Sequence, residues 1–486
     1  MRLDVIRKIP YEVAKKYNVI AVHIDETGYL VVETDDLSNF YVQEELQHIL
    51  GRKVRYVWKE KQEIARAIDL CYAELEVQDA KERIHEALSK AELFDGKETD
   101  DTFCPVVCLL NSLLVRGYRM HASDIHLEPE ENELKVRMRI DGQLIPYIHL
   151  KKEVHLPIIT RAKVISGMNI TEKRLPQDGN CKVTIQNIEL NLRVSTIPTV
   201  LGEKMVIRFL DMETEMDRKQ TFGMDEETYQ KLLTMLKRKN GLIYLTGPTG
   251  SGKTTTLYLI LEELKREPVN VMTIEDPVEK QISGINQIQI NEMAGLTFEM
   301  GLRAILRQDP DIIMVGETRD MQTAKTSVRA AITGHLVLST LHTVDAVGVI
   351  ARMHDMGIEP FFIADSLNGA VSQRLVRKIC SHCKEKILLG ERERNLLGQD
   401  TVFVYRGRGC SFCGGTGYKG RIAVHEIFMV DGKIKEMIVQ KQSMDVIREY
   451  VRKTQAFYSL RENTIRLVKH GITTMEEAMR VIVDIE

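Results

Sequence analysis

Eight consecutive residues between Gly247 and Thr254 have the types and spacing needed to bind a nucleotide phosphate. They are Gly-Pro-Thr-Gly-Ser-Gly-Lys-Thr and fit the pattern G-x-x-x-x-G-K-[ST]. The glycines let backbone N–H groups turn toward phosphate oxygens, Lys253 would reach the β- and γ-phosphates, and Thr254 would ligate Mg²⁺. We therefore predict contacts with ATP along the whole loop and the residue after it: Gly247, Pro248, Thr249, Gly250, Ser251, Gly252, Lys253, Thr254 and Thr255.

The segments around this loop favour a phosphate site over a chance glycine-rich turn. A strand-like run at 242–245 precedes the loop, and a helix-like run at 255–265 follows it. This order places the phosphates at the N-terminus of a helix, where the helix dipole favours negative charge. A Rossmann dinucleotide site is excluded because no G-x-G-x-x-G pattern follows a strand here.

Carboxylates follow two further strand-like runs, and ATP hydrolysis needs such groups. Glu275 follows the run 269–274, and Glu317 follows the run 311–315. Because residues at the carboxyl ends of parallel strands face the ligand crevice, both acids are expected beside the nucleotide. One acid would hold Mg²⁺ through water and the other would orient the attacking water, so Lys253, Glu275 and Glu317 are the predicted catalytic residues. The alternative is that these acids cap helices or face solvent.

Histidines and arginines around the same strands are further candidates for phosphate contacts. Two histidines flank the buried-looking run 336–341, and a polar ring there would sense the γ-phosphate; a strand-end structural role is the alternative. Guanidinium groups stabilise a transferring phosphoryl group, although a solvated surface or an ion pair is equally compatible with the spacing alone. The candidates are His335, His342, Arg193, Arg208, Arg303 and Arg307.

Four of the eight cysteines form two Cys-x-x-Cys pairs late in the chain. Cys380 and Cys383 are separated from Cys410 and Cys413 by 26 residues. Four thiolates on two tight turns match a closed, structural Zn²⁺ site, with iron, a redox pair and buried thiols as the alternatives.

The segments that must position these residues predict an α/β protein of several domains. We expect a small α/β module at 1–75, a helix and polar linker at 76–103, a second α/β domain at 104–215, and a parallel α/β domain at 216–486. The last domain would contain the four-cysteine module at 376–420. Charged residues make up 28% and hydrophobic residues 43% of the chain, which is an ordinary globular balance.

The charge and hydropathy of the chain bear on where it works and what it binds. The formal net charge of −3 gives no global attraction to nucleic acid, so no direct nucleic-acid partner is expected. The start of the chain lacks the apolar segment of a secretory signal, and no run approaches the roughly 20 apolar residues of a membrane span. A cytoplasmic protein that reaches a membrane through partners is therefore expected.

The motifs resemble the secretion and pilus-assembly ATPase family over roughly residues 105–430. Besides the phosphate loop, the similar segments are its Asp box at 273–279, its Walker B region at 302–320, its His box at 333–343, and the domain segments 122–129, 175–179 and 202–204. Two positions depart from the family pattern, since Thr318 stands where Ile is usual and Val344 where Asn is usual. Neither is an expected phosphate contact.

The resemblance implies a RecA-like ATPase domain preceded by a PAS-like α/β domain and a small N-terminal module. It also implies a ring-shaped homohexamer that uses ATP, Mg²⁺ and Zn²⁺, with arginines of both domains near the phosphates. Such a ring would push on an inner-membrane platform protein, at the inner face of the cytoplasmic membrane. The zinc-binding insertion favours pilus assembly or type II secretion over pilus retraction.

Two other functions compete with this interpretation. A DNA-linked motor of the conjugation class predicts activity stimulated by nucleic acid and a basic surface, which the acidic balance disfavours. A nucleotide-dependent scaffold would bind ATP and barely hydrolyse it, which the intact Lys253, Thr254, Glu275 and Glu317 disfavour.

Overall fold

The computed structural model describes residues 3–51, 53–89, 104–210, 223–265, 268–390, 394, 397, 401–455 and 457–483. The chain forms two compact units, Met1–Glu213 and Thr214–Glu486. The polar linker predicted near 95–101 and the domain boundary predicted at 215/216 lie outside the described residues.

The first part of unit one is a three-stranded sheet with four helices. Strand β2 pairs antiparallel with β1 and parallel with β3. The strands are β1 Val19–Ile24, β2 Leu30–Thr34 and β3 Val54–Trp58, and the helices are α1 Leu3–Ile6, α2 Tyr11–Tyr17, α3 Phe40–Leu50 and α4 Lys61–Ser89. The helix predicted to follow residue 75 is the second half of α4, which begins fourteen residues earlier at Lys61.

The second part of unit one is a six-stranded antiparallel sheet in the order β6-β5-β4-β9-β8-β7. Its elements are α5 Pro105–Arg119, β4 Ala122–Pro129, β5 Glu133–Ile140, β6 Gln143–Lys151, a 3-10 turn Lys152–Val154, α6 His155–Ile165, β7 Gln177–Ile185, β8 Ile188–Thr199 and β9 Gly202–Phe209. Alternate residues of the strands, among them Leu127, Val136 and Ile207, form one core with both helices. The residues between them place charged side chains on the other face.

Unit two is built on a seven-stranded sheet in the order β12-β11-β13-β14-β10-β15-β18. All neighbouring pairs are parallel except β15 with β18. The strands are β10 Gly241–Thr246, β11 Val271–Glu275, β12 Asn286–Gln289, β13 Ile312–Val315, β14 Leu336–Leu341, β15 Leu367–Ile379 and, at the far edge, β18 Tyr418–Met429. The central strands β10, β13 and β14 are buried throughout, as expected for a parallel sheet covered on both faces.

Helices follow most strands of this sheet and complete a RecA-like α/β unit. They are α7 Glu226–Leu236, α8 Lys253–Leu264, α9 Phe298–Ile305, α10 Met321–Ile332, α11 Gly348–Asp355, α12 Pro360–Ser366, α13 Gly432–Val439, α14 Met444–Thr454, α15 Leu460–Lys469 and α16 Met475–Val483. A 3-10 turn covers Glu292–Ala294. The parallel α/β class predicted from the motifs is confirmed.

The cysteine pairs lie between two strands that are hydrogen-bonded to each other. Strand β15 ends at Ile379, which is paired with Tyr418 at the start of β18. The residues between them form the antiparallel pair β16 Lys384–Leu388 and β17 Phe403–Gly407 and a 3-10 turn Ser411–Cys413. A buried ion pair between Arg377 and Glu477, with Nη2 and Oε1 2.8 Å apart, connects β15 to α16.

Candidate functional site

The phosphate loop connects the carboxyl end of β10 to the first turn of α8. Three of its glycines have positive φ angles, +143° at Gly247, +78° at Gly250 and +85° at Gly252, a region that side-chain-bearing residues rarely adopt. Helix α8 begins at Lys253 with Thr254 and Thr255 in its first turn. The loop therefore places backbone N–H groups at a helix N-terminus, which is the arrangement that binds phosphate.

Lys253 is half-buried within this loop. Its Nζ donates hydrogen bonds to the carbonyl oxygens of Gly247 at 2.7 Å and Pro248 at 3.0 Å. Burial and the nearby Arg374 guanidinium lower the pKa of Lys253 to about 8, while the Glu317 carboxylate acts in the opposite direction. The ammonium group is thus held at the loop, and it loses its proton at a lower pH than an ordinary lysine does.

Glu317 and His342 lie beside Lys253. Glu317 forms an ion pair with Arg319, and its charge raises the pKa of both Lys253 and His342. Burial and the Lys253 charge outweigh this effect and lower the pKa of His342, which leaves its ring neutral at pH 7. Thr246, the last residue of β10, accepts a 2.7 Å hydrogen bond from the backbone N–H of Thr343 and so holds the end of the His box against the loop.

Glu275 lies at the same edge of the sheet, and its buried carboxylate is held by three side-chain donors. It accepts hydrogen bonds from Tyr258 Oη at 2.5 Å, Thr273 Oγ1 at 2.6 Å and Gln287 Nε2 at 3.1 Å. The backbone N–H of Gly316 donates to Ile274 at 2.8 Å, so the two acid-bearing strand ends are direct neighbours. Of the two predicted acids, Glu317 is therefore the one whose charge acts on the loop lysine, and Glu275 is fixed by three donors.

Three of the predicted phosphate contacts are not brought to the loop within this unit. His335 precedes β14, whereas His342 follows it, so the strand separates them by about 20 Å. His335 Nδ1 donates to the carbonyl of Ala330 at 2.9 Å and thereby satisfies the end of α10. Arg303 is paired with Glu299 in α9 at 2.7 Å, and Arg307 Nη1 donates to the carbonyl of Arg303 at 2.9 Å.

Arg193 and Arg208 belong to unit one, where they are directly opposite each other in the β8–β9 pair. Arg208 Nε donates to the buried carboxylate of Asp124 at 2.8 Å. Arg139 also approaches Asp124, with 3.6 Å between Nε and Oδ2. The polar face of the six-stranded sheet thus holds two arginines at one buried acid, while Arg193 is paired with Asp178, with 3.7 Å between Nη2 and Oδ1.

Several side chains at these sites were not singled out from the sequence. Arg319 and Asp124 lie inside segments that resembled the family, and only their charge distinguished them. The side chains that contact the loop and Glu275 gave no local signal, because these contacts join separate parts of the chain. These partners are Tyr258, Gln287, Gln373 and Arg374.

The four predicted cysteine ligands converge. Their sulfur atoms all lie within 4.8 Å of one another, with Sγ–Sγ distances of 3.9 Å for Cys380–Cys410, 3.9 Å for Cys383–Cys413 and 3.7 Å for Cys410–Cys413. A tetrahedral zinc ion with Zn–S bonds of about 2.3 Å places its ligands about 3.8 Å apart, so the cluster fits zinc without rearrangement.

Backbone donors support the thiolate form that such a site requires. Gly409 N–H donates to Cys383 Sγ at 3.3 Å, and the N–H groups of Cys410 and Gly417 donate to Cys413 Sγ, each at 3.2 Å. Burial raises the pKa of Cys413, but the two N–H groups and the neighbouring thiols outweigh it and lower the pKa to about 7. Burial raises the pKa of Cys380 and Cys383, so a bound metal would be needed to hold those two as thiolates. Because all four ligands come from the protein, the centre is suited to a structural role.

Comparisons with known proteins agree with this geometry. The Type II/IV secretion system protein family matches residues 98–480, and the MshEN domain matches residues 2–78. The chain is 39% identical to the "Type IV pilus assembly ATPase PilB" of Thermus thermophilus, covering 97% of this chain and 54% of that protein. It is 38% identical to the "Type II secretion system protein E" of Pseudomonas aeruginosa, covering 98% of this chain and 96% of that protein.

Solved structures show the same fold. The pilus retraction motor PilT with bound ADP is 25% identical, has a TM-score of 0.53, and covers 76% of this chain and 96% of its own. The Legionella pneumophila ATPase DotB is 21% identical, has a TM-score of 0.58, and covers 77% of this chain and 95% of its own. None of the helices in the described ranges is long and apolar enough to cross a membrane.

Proposed function

Because this chain belongs to the Type II/IV secretion system protein family and is an ATPase of that family, we propose that it hydrolyses ATP to power type IV pilus assembly or type II protein secretion. The observation that supports the proposal best is the grouping of the phosphate loop, Lys253, Glu317 and His342 at the carboxyl ends of β10, β13 and β14. Nucleotide chemistry in parallel α/β sheets takes place at this edge.

The roles of individual residues follow from their surroundings. Lys253 binds the β- and γ-phosphates, and the N–H groups of the loop from Gly247 to Thr255 surround them. Thr254 and Glu275 are the groups that would hold Mg²⁺, directly and through water. Bound Mg²⁺ would neutralise charge on the phosphate oxygens. Glu317 orients the attacking water and accepts its proton.

Residues outside this cluster contribute through assembly. In the proposed ring-shaped homohexamer, the nucleotide phosphates are contacted by Arg193, Arg208, Arg303, Arg307 and His335. Guanidinium groups supplied in this way stabilise the charge that develops during phosphoryl transfer. Zn²⁺ bound by the four cysteines stabilises the module between β15 and β18.

The proposed mechanical partner is an inner-membrane platform protein. The ATPase works at the cytoplasmic face of the membrane and associates with it peripherally, through that partner. Direct binding to nucleic acid is not part of the proposal.

The experiment is steady-state ATP hydrolysis by the purified full chain with Mg²⁺, with and without DNA, for wild type, Lys253→Ala and Glu317→Gln. We expect DNA-independent turnover that is lost in Lys253→Ala and falls at least a hundredfold in Glu317→Gln, with nucleotide binding retained in Glu317→Gln. Turnover that requires DNA would favour the conjugation-type motor, and unchanged turnover in Glu317→Gln would contradict the assignment of that residue.

A further inference from the structure

A buried glutamine lies directly against the phosphate loop. Gln373 follows Ser372, which is paired with Thr246, the last residue of β10 before the loop. Gln373 is only 1% exposed. Burying an amide is costly unless each polar atom is hydrogen-bonded, so its contacts identify what it holds.

The side chain of Gln373 connects the loop to the helix that follows it. Its Nε2 donates to the carbonyl of Ser251 at 2.7 Å, and its Oε1 accepts a 2.8 Å hydrogen bond from Thr256 Oγ1. A backbone carbonyl can only accept, so the atom facing Ser251 must be the NH₂ group. One amide group thus spans the turn at which the loop becomes α8.

His425 on β18 fixes the other side of this amide. Gln373 and His425 are paired in the sheet, and His425 Nε2 lies 3.2 Å from Gln373 Oε1. Full burial lowers the pKa of His425 to about 3, so the ring is neutral. Because Gln373 Oε1 can only accept, the proton of the neutral ring is on Nε2. The side-chain oxygen of Gln373, Oε1, therefore accepts two hydrogen bonds, and the amide cannot rotate away from the loop without losing both.

Two loop glycines lie close to Gln373, one against its backbone and one against its side chain. A Cβ on Gly247 would lie 2.4 Å from the backbone carbonyl oxygen of Gln373, and a Cβ on Gly252 would lie 2.9 Å from Gln373 Nε2. A side chain at Gly247 would therefore overlap the backbone of β15, and one at Gly252 would push the Gln373 amide aside. Gln373 therefore touches the beginning, the end and the helical continuation of the loop.

We propose that Gln373 is a positioning residue that holds the phosphate loop in its binding conformation. The inference rests on the proposed ATPase function. Gln373 keeps the N–H groups of the loop directed at phosphate through its hydrogen bonds with the Ser251 carbonyl and the Thr256 hydroxyl. Gln373 itself does not touch the reacting atoms.

The test compares Gln373→Met with a control on the same strand. Asn368 is also a buried amide on β15, with Nδ2 donating to Asn240 at 2.8 Å and Oδ1 accepting from Arg238 at 2.8 Å, but it lies at the opposite end of β10, beside Gly241. We expect Gln373→Met to raise the Kd of ADP about tenfold, which corresponds to about 1.4 kcal/mol. Asn368→Leu should lower Tm about as much as Gln373→Met does, but it should leave the Kd of ADP unchanged.

Kinetics separate positioning from general loss of structure. In Gln373→Met we expect KM for ATP to rise in step with the Kd while Tm stays within the range of Asn368→Leu. Equal effects of both variants on the Kd, or a wild-type Kd in folded Gln373→Met, would overturn the proposal. If Gln373→Met does not fold, the Kd of ADP is compared between Thr256→Val and Thr256→Ser. Only serine keeps the hydroxyl donor to Gln373, so the proposal expects the Kd to rise in Thr256→Val and not in Thr256→Ser.

The outcome is independent of the motor function. Loss of hydrolysis in Lys253→Ala together with a normal Kd in Gln373→Met would reject the positioning role alone. Hydrolysis that survives in Lys253→Ala would reject the proposed function itself.

Discussion

The pKa of Lys253 gives the most direct prediction of nucleotide affinity. Phosphate binding needs the ammonium form, and the pKa of about 8 means that this form is lost at a pH where an ordinary lysine stays charged. The causes are burial and the Arg374 guanidinium, both of which disfavour the cation. We therefore expect ATP affinity to fall as the pH rises above 8.

The size of the effect follows from the fraction of protonated lysine. With a pKa of about 8, about 90% of Lys253 is charged at pH 7 and about 10% at pH 9. The Kd of the nucleotide should therefore rise about tenfold over this range. A lysine of ordinary pKa, about 10.4, would change the Kd by only a few per cent.

The assay is equilibrium titration of the full chain with a fluorescent adenine nucleotide and Mg²⁺ from pH 7 to pH 9. Lys253→Arg is the matched control, because arginine keeps its charge throughout this range. Phosphate groups, with a second pKa of about 6, are already ionised here, and the control also corrects for any residual change in the ligand. A flat profile for the wild type, or an equal slope for Lys253→Arg, would refute the reasoning.

Other predictions follow from the same sites. Tyr258→Phe removes a donor from the buried Glu275; we expect kcat to fall about tenfold with little change in the Kd of ADP, and a kcat equal to wild type would count against a role for that carboxylate. A chelator should release about one zinc per chain, as measured by metal analysis, and should lower Tm. Cys413→Ser should lower Tm as well, and an unchanged Tm would contradict a structural centre. His425 is neutral in the fold but protonates below pH 6.5 when unfolded, so its contribution to stability is lost as the pH falls from 6.5 toward 3. His425→Gln should therefore be less sensitive to acid, by about 2 kcal/mol at pH 5 relative to pH 8 in denaturant titrations, and parallel pH profiles of the two proteins would disprove this.

The parts of the site that depend on consecutive residues were predictable from the sequence. The phosphate loop, its preceding strand and its following helix are all local, and each has the expected position. The cysteine pairs were likewise predictable, since two short turns with two thiolates each leave little choice of chemistry. For the sheet, alternation and strand–helix order were sufficient to indicate the parallel α/β class.

The parts that depend on strand direction or distant partners were harder. His335 and His342 look equivalent in the sequence, yet a strand separates them, and only His342 reaches the edge that holds the loop. The contacts of Gln373 join β15 to residues more than a hundred positions earlier. The length of α4 was missed because a charged helix of 29 residues offers no sharp change in pattern at residue 75.

The position of the cysteine module has a consequence for how the protein can change over evolution. Ile379 and Tyr418 are paired neighbours, so the chain leaves the central sheet and returns to it at almost the same point. Residues 380–417 can therefore be gained or lost as one block, joined by a short turn, without shifting the register of the strands that hold the phosphate loop. The block is not wholly separate, because Val404 shares a small core with Val468 and Ala478 of the last two helices. A relative without the module would therefore expose Val468 and Ala478. We expect polar residues at these two positions in such a relative.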